Sequence, residues 1–247
     1  MMKNFLINKF FLGLKKAKEE TKAKDIMNLI YKHIISLAVF ISLTVFVFNP
    51  IFFENKSIKQ HDIEQWSYSA NETIEFRKNK NEEALWSNSM FSGMPAYLID
   101  VKWSNPIVSF LHKIYSLFFP HPISNFIISF ISFYIMLLCF RIRPEIALFG
   151  SIAFTLSSYM IIGIAAGHNA RIGTAALLPL IVGGVHLCIH RNRNLGFIIT
   201  AVALALQLRL NHLQITYYTL IILIFYGSGN LIYYYSKNKL KYFAKRI

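Results

Sequence analysis

The sequence predicts an all-α polytopic membrane protein, with about six transmembrane helices and one long extracytoplasmic loop that carries short interfacial helices. Three observations lead to this fold class. The 247 residues are 55% hydrophobic, which is high for a soluble domain. The apolar residues gather in runs close to the roughly 20 residues that a helix needs to cross a bilayer. The basic residues fall in short clusters between those runs, where a bilayer sorts them.

The placement of charge also indicates the class of partner. A formal charge of +14 in a soluble chain would suggest nucleic acid. Here the basic clusters alternate with apolar runs, so the sequence predicts a membrane partner and no nucleic acid. Cys139 and Cys188 lie inside apolar runs and match no zinc-binding spacing, which favours small core residues.

Six apolar segments meet or approach the length of a span. They are residues 29–49, 123–140, 145–165, 174–190, 195–210 and 213–235. A shorter apolar stretch at 107–119 predicts an interfacial helix. The predicted organisation is a basic cytoplasmic segment at 1–28, a first transmembrane helix at 29–49, an extracytoplasmic loop at 50–122, a five-helix bundle at 123–235 and a basic cytoplasmic tail at 236–247.

The distribution of basic residues is an independent test of the predicted spans. With the N-terminus inside, the predicted cytoplasmic pieces hold 17 basic and four acidic residues. The opposite side holds nine basic and eight acidic residues. Because cytoplasmic loops carry the excess of Lys and Arg, the asymmetry favours six spans with both termini in the cytoplasm.

Three polar stretches fall on the predicted extracytoplasmic side, namely "SIKQHDIEQW", "AAGHNARIG" and "RLNHLQITYY". Ionisable and amide side chains are costly at membrane depth, so they usually face a cavity or one another. The stretches therefore predict a shared cavity suited to a sugar phosphate, where Arg binds phosphate and an acid accepts a proton. The candidate residues are Asp62, Glu64, His168, Asn169, Arg171, Arg209, His212 and Gln214.

Each candidate also has a structural interpretation. Asp62 is one of eight acids on a loop that water can solvate, and His168 and His212 are placed to cap helices. Arg171 and Arg209 are placed to extend to lipid headgroups. The charged run over residues 72–83 predicts a solvated helix face with no role in the site.

A metal site is not predicted. His61, Asp62 and Glu64 are nearly consecutive, and their spacing matches no zinc motif. The pattern neither requires nor excludes a hard divalent cation held by Asp62, Glu64 and a substrate phosphate.

The stretch "SNSMFSGMPAYLI" lies within the long polar interval. Gly93 allows backbone geometry that is closed to other residues, and Pro95 fixes φ, so Gly93, Met94 and Pro95 predict a tight and defined turn. The turn is interpreted either as an ordinary connection or as the part of the loop that shapes a wall beside Asp62.

Four stretches together resemble a known family. They are "FNPIFFENKSIKQHDIEQW", "LWSNSMFSGMPAYLI", "SSYMIIGIAAGHNAR" and "LRLNHLQITYY". In this order and spacing they resemble the amino-terminal part of YfhO-like bacterial membrane proteins, over about residues 30–235. The resemblance implies a GT-C type glycosyltransferase of the bacterial inner membrane. It would transfer a sugar from a polyprenyl-phosphate donor to a cell-envelope polymer or lipid outside the cytoplasm.

The resemblance also implies roles for the candidate residues. By position Asp62 would be the catalytic acid or base, with Glu64 as a second candidate. The remaining His, Asn, Arg and Gln candidates would stabilise the departing lipid phosphate. Members of the family run to several hundred residues, so the resemblance implies a downstream segment or chain that completes the protein. Two further classes stay open, a transporter or flippase component and an inactive truncated remnant.

Overall fold

Helices account for most of the chain. The computed structural model describes the backbone of residues 2–100 and 105–246, and the side chains of residues 25–100 and 105–246. Within these ranges the helices, labelled α1 to α12 in chain order, are Met2–Val47, Asn49–Phe53, His61–Ser69, Asn71–Lys80, Pro106–Tyr115, Ile123–Cys139, Pro144–Thr155, Ser158–Ala166, Asn169–His190, Arg193–Arg209, Leu213–Ser236 and Leu240–Ala244. Two short strands, β1 (Trp86–Ser87) and β2 (Met94–Pro95), pair antiparallel, and a 3₁₀ turn spans Ala96–Leu98.

Polar residues and prolines between the apolar runs set the helix ends. The side chain of Asn105 accepts hydrogen bonds from the backbone N–H groups of Ile107 and Val108, which caps α5. Pro106 occupies the first turn of α5, where a missing N–H costs nothing. Asn192 caps α10 in the same way. Helix boundaries therefore follow from local sequence chemistry.

Three helices are long and apolar enough to cross a membrane, namely residues 25–47 of α1, all of α9 and all of α11. Helices α7 and α8 together meet the same criterion, but they are bent by 43° at the break between them. Counting that pair as one span gives four, and α6 is apolar but has only 17 residues. The described chain thus has the helical, multi-pass character of an all-α membrane protein.

The predicted span over residues 145–165 is divided in the structure. Helix α7 ends at Thr155 and α8 begins at Ser158. Ser157 between them has extended backbone dihedrals. The chain thus leaves the helical conformation at Ser157 and returns to it at Ser158.

Helix α1 begins before the predicted start of the first span. Its backbone is helical from Met2 onward, with no interruption at residue 28. The side chains of residues 2–24 lie outside the described range, and with them most of the predicted basic segment at 1–28.

The core lies where α9 packs between α6 and α10. Phe130 and Ile127 of α6 and Ile172 and Leu177 of α9 are completely buried there. Helix α1 joins this core through Phe40, whose ring stacks on Phe130 with centroids 4.6 Å apart. Because α9 has neighbours on several sides, it organises the bundle.

Helix α11 lies at the edge of the bundle. Only Thr219 and Tyr234 of its 24 residues are buried, while large apolar side chains such as Phe225 and Ile232 are exposed. An apolar surface of this extent is costly in water and stable in lipid. The exposed apolar surface of α11 is therefore suited to contact with lipid.

The charged run at residues 72–83 does more than form a solvated face. The guanidinium of Arg77 donates to Glu83 through Nε and Nη2, at 2.8 and 2.7 Å, and to Asp100 at 2.7 Å. Glu72 accepts hydrogen bonds from the segment that begins at Ser87. The run therefore ties α4 to the hairpin and to the end of the stretch that follows it.

Candidate functional site

The side chains of Asp62 and His168 are in contact at one end of the bundle. Asp62 lies in the first turn of α3, and His168 is the residue before α9. His168 Nε2 is 2.6 Å from Asp62 Oδ2, and the two side chains are 38% and 41% exposed. A pair that is half-exposed can hold its geometry and still be reached by a reactant.

A glycine allows this close approach. Helix α8 ends at Gly167, which has a left-handed φ of +99°. A Cβ on Gly167 would lie 3.1 Å from the Cβ of Gln60 and 3.3 Å from the Cβ of Asp62. The start of α3 therefore rests against the bare backbone of Gly167, which brings Asp62 within reach of His168.

A buried pair of amides holds α3 in this position. The Gln60 Nε2 atom donates to Asn169 Oδ1 at 3.1 Å, and the Asn169 Nδ2 atom donates back to Gln60 Oε1 at 3.0 Å. Gln60 also donates to the backbone carbonyl of Ile164, and Asn125 Nδ2 donates to the carbonyl of Asn169 at 3.0 Å. This network connects α3 to α6, α8 and α9.

Sequence reasoning missed Gln60 and Asn125 as site residues. Gln60 lies two residues before Asp62 in the polar stretch, but an uncharged amide at that position does not by itself indicate a site. Asn125 interrupts an otherwise apolar run, and an amide at such a position signals an internal partner. That signal could have identified Asn125, whereas the partner itself depends on the fold.

A cavity of about 920 Å³ opens beside Asp62. Its polar lining includes Asp62, Asn169, Arg209, Lys56 and His121. Most of the other lining residues are apolar. A volume in this range, with a few converging polar groups on an apolar wall, is typical of a small-molecule site.

Positive charge marks one wall of the cavity. Arg209 lines it, and its buried Nε has no hydrogen-bond partner among the described residues. Burial lowers the pKa of His112 to about 4, and the neighbouring charges of Arg209 and His121 add to the shift. Burial also lowers the pKa of His121. At neutral pH the wall thus combines the guanidinium of Arg209 with the neutral imidazole of His121, and His112 lies near both outside the lining.

Arg171 contacts His168 on the side opposite Asp62. Its Nη2 donates to His168 Nδ1, and its guanidinium lies 5.6 Å from the centre of the Tyr159 ring. Because an arginine side chain only donates, His168 Nδ1 accepts in this contact. Arg171, His168 and Asp62 therefore form one continuous line of polar contacts.

Three other candidates lie outside the cavity. Glu64 is 3.9 Å from Lys59 through Oε1 and Nζ. His212 accepts from a backbone N–H of the first turn of α11, as a helix cap. Gln214 is exposed and donates to the Tyr218 hydroxyl at 2.8 Å. The structure therefore brings together Asp62, His168, Asn169, Arg171 and Arg209, and it leaves Glu64 and Gln214 apart from them. His212 lies near this group, because burial lowers its pKa and the charges of Arg171 and His168 add to the shift.

The Gly-Met-Pro turn is a defined hairpin. Met94 and Pro95 form β2, which pairs with β1. Gly93 has φ +116°, and a Cβ there would lie 2.7 Å from Nε1 of Trp86. Both the backbone angle and the indole exclude a side chain at Gly93, so the turn is rigid.

The stretch meets the cavity through its last part. The Trp66 Nε1 atom of α3 donates to the carbonyl of Ile99 at 2.9 Å, and both residues line the cavity. Gly93, Met94 and Pro95 are not among the lining residues. The Gly-Met-Pro turn therefore lies outside the cavity lining, whereas Ile99, at the end of the same stretch, contributes to the cavity wall.

In the described ranges no group of three or more His, Cys, Asp or Glu side chains could hold a metal ion. The chain matches no protein-family model, no curated protein and no solved structure. The geometry of the cavity beside Asp62 and the resemblance of the sequence motifs are therefore the grounds for a proposal of function.

Proposed function

We propose that the chain is the amino-terminal membrane part of a YfhO-like, GT-C type glycosyltransferase. In this proposal a sugar passes from a polyprenyl-phosphate donor to a cell-envelope polymer or lipid, on the extracytoplasmic side of the bacterial inner membrane. The observation that supports it most is the Asp62–His168 pair at the rim of a 920 Å³ cavity with Arg209 in its wall. An acid beside an anion-binding wall suits transfer from a lipid phosphate.

The proposal includes six spans with both termini in the cytoplasm. The spans are α1 from residue 25, α6, the α7–α8 pair, α9, α10 and α11. Helices α6 and α10 have 17 residues each, or about 25 Å of helix. That length falls a few Å short of the hydrocarbon core, a mismatch that a bilayer accommodates at modest cost. Because Lys and Arg are in excess at the opposite end of the bundle, the positive-inside rule favours placing the end with Asp62 outside the cytoplasm.

The proposed reaction follows from the positions of the charged groups. The Asp62 carboxylate accepts the proton of an acceptor hydroxyl, whose oxygen forms a bond to the anomeric carbon of the sugar. The bond between that carbon and the phosphate oxygen breaks, and the electron pair leaves with the lipid phosphate. Arg209 stabilises the departing charge, and His168 orients the carboxylate.

The substitution Asp62→Asn tests this proposal. We expect transfer from a labelled polyprenyl-phosphate sugar to fall by about 10²- to 10⁴-fold, the usual contribution of a general base. Insertion and donor binding should persist because the amide keeps the size of the side chain. Purified protein in liposomes, together with any downstream chain, provides the measurement. Glu75→Gln, an exposed acid on α4, is the matched control.

Retained transfer in the Asp62→Asn protein would remove Asp62 from the mechanism. Loss of donor binding in the same variant would mean that the substitution disturbed the cavity, and the rate would then carry no information about a base.

A transporter or flippase component is the second candidate, because the α7–α8 pair is a broken span. Broken helices in transporters bind their substrates near the middle of the membrane. The groove beside this break is lined mainly by apolar residues such as Phe154, Met160 and Leu178. The polar groups lie instead at the end of the bundle, which favours the enzyme. Flux of a lipid-linked sugar across liposomes without transfer would favour transport.

A further inference from the structure

A second cavity, of about 720 Å³, lies at the opposite end of the bundle. Helix α9 begins beside Asp62 and ends at His190, which lines this cavity. Its 22 residues span about 33 Å. That distance is close to the thickness of a hydrocarbon core, so the two cavities would lie near opposite surfaces of a membrane that α9 spans.

The lining of this second cavity is basic and aromatic. The lining residues are His190, Tyr233, Tyr234, Lys237, Lys239 and Tyr242. None of them is acidic. Neither lysine has a carboxylate within 4.0 Å in the part of the chain that the structure describes. The cavity therefore holds positive charge that no carboxylate among the described residues neutralises.

The walls of the cavity are built by packed side chains. The Tyr234 hydroxyl lies 3.2 Å from His190 Nδ1, and the Tyr234 ring stacks on Phe243 with centroids 5.3 Å apart. Tyr234, Phe243 and Ile189 form a buried cluster. The cluster holds α12, and with it Tyr242, against the ends of α9 and α11.

A second set of contacts fixes the segment after α12. Arg246 Nη1 donates to the carbonyl of Arg191 at 3.0 Å, and the guanidinium lies 5.1 Å from the centre of the Tyr242 ring. The thiol of Cys188 donates to the carbonyl of Arg246. These contacts hold the Arg246 guanidinium over Tyr242, a lining residue, which raises the local positive potential.

We propose that this cavity binds the phosphodiester headgroup of an anionic membrane lipid. Ammonium groups and tyrosine hydroxyls are suitable donors for phosphate oxygens. Tyrosine also favours the level of the headgroups, with its ring in the apolar layer and its hydroxyl in the polar one. The exposed apolar surface of α11 next to the cavity, which includes Ile232, suits the acyl chains. This site is independent of sugar transfer at Asp62.

Lipid titration of the purified full chain in a neutral detergent tests the site. The probes are dioctanoyl phosphatidylglycerol, dioctanoyl phosphatidylcholine and inorganic phosphate, and the readout is the shift of the melting temperature with concentration. We expect phosphatidylglycerol to stabilise the protein more than phosphatidylcholine. The double variant Lys237→Gln and Lys239→Gln should weaken binding of phosphatidylglycerol about tenfold or more, which corresponds to about 1.4 kcal/mol.

Two further double variants make the result specific. Lys237→Arg with Lys239→Arg keeps the charge and should keep binding. Lys78→Gln with Lys80→Gln removes two exposed lysines from α4, at the other end of the molecule, and should bind like the wild type. If the Gln pair fails to fold, the Arg pair and the comparison of the three probes still decide the question.

Three outcomes would overturn the proposal. They are equal stabilisation by phosphatidylcholine and phosphatidylglycerol, unchanged binding in the Gln pair, and loss of binding in the Arg pair. Stabilisation by inorganic phosphate but not by phosphatidylglycerol would also reject a lipid and assign the site to a free phosphate. Displacement of bound phosphatidylglycerol by phosphate would support recognition through the phosphate group.

Discussion

The carboxylate of Glu72 organises the loop that follows α4. It accepts hydrogen bonds from the Ser87 hydroxyl at 2.7 Å and from the backbone N–H groups of Asn88 and Ser89 at 2.9 and 2.8 Å. These hydrogen bonds lower the pKa of Glu72 from 4.5 to about 2, with the Ser87 hydroxyl making the largest contribution. The Glu72 side chain thus holds residues 87–89, at the start of the stretch that ends at Ile99.

The lowered pKa of Glu72 predicts how the loop depends on pH. Because the folded pKa lies below the unfolded value, the stabilisation is fully present above about 4.5 and is lost as the pH falls through about 2. We expect hydrogen exchange at Asn88 and Ser89 to become faster, relative to its intrinsic rate, across this window. Exchange measured by mass spectrometry over a pH series checks the result.

The variant Glu72→Gln provides the control for this pH series. It should show weak protection of Asn88 and Ser89 already at neutral pH, with little further change in acid. Equal protection in the variant and the wild type at neutral pH would contradict the role given to the carboxylate.

At the scale of elements, α3 is placed by contacts that its own sequence does not suggest. Gln60 precedes the helix and is only 7% exposed, and Asn169 is 6% exposed. Removing one partner of a buried amide pair leaves the other without hydrogen bonds, which costs more than the pair contributes. The position of Asp62 therefore depends on Gln60 and Asn169.

The variant Gln60→Ala tests this dependence. We expect the free energy of unfolding to fall by about 1–3 kcal/mol, because Asn169 and the carbonyl of Ile164 lose their partners. We also expect transfer to slow more through kcat than through KM, since Asp62 loses its support while Arg209 remains in the wall. Thermal unfolding and steady-state kinetics provide the two measurements.

Gln65→Ala is the matched control on the same helix, because Gln65 is exposed and its side chain bonds only to His61 in the described ranges. Equal melting temperatures for Gln60→Ala and Gln65→Ala would show that the buried amide pair does not hold α3.

At the scale of the whole molecule, the antiparallel helices create two unlike ends. The Asp62 cavity combines an acid, amides and Arg209, whereas the Lys237 cavity is basic and aromatic. Helix α9 connects the two ends through the core. The distribution of charge between the ends is the physical basis for the proposed orientation.

Cysteine labelling in intact cells tests that orientation. In a background with Cys139→Ala and Cys188→Ala, we expect Ser69→Cys to react with a membrane-impermeant maleimide from outside. Asn194→Cys and Asn238→Cys should react only after the membrane is opened, because the basic ends stay in the cytoplasm. Labelling of Asn194→Cys and Asn238→Cys on opposite sides of the membrane would contradict the proposed topology, in which α10 and α11 cross as a hairpin.

Much of the element pattern could be read from the sequence because helix ends and apolar runs are local properties. Asn105 with Pro106 and the apolar run of α9 illustrate this. The break at Ser157 was missed, since hydropathy averages over a window and does not register a local backbone alternative. The alternation of apolar and polar segments also predicted that these polar residues gather at one end of the bundle.

The sequence by itself determined a helical membrane chain, its basic and less basic sides, and the identity of Asp62 and His168 as candidates. Only the tertiary structure decided that Asp62 faces His168, that Gln60 and Asn169 hold α3, and that Glu64 and Gln214 lie elsewhere. The reason is physical. Hydropathy and charge act on each segment separately, whereas hydrogen bonds between residues about 100 positions apart exist only after the helices have packed.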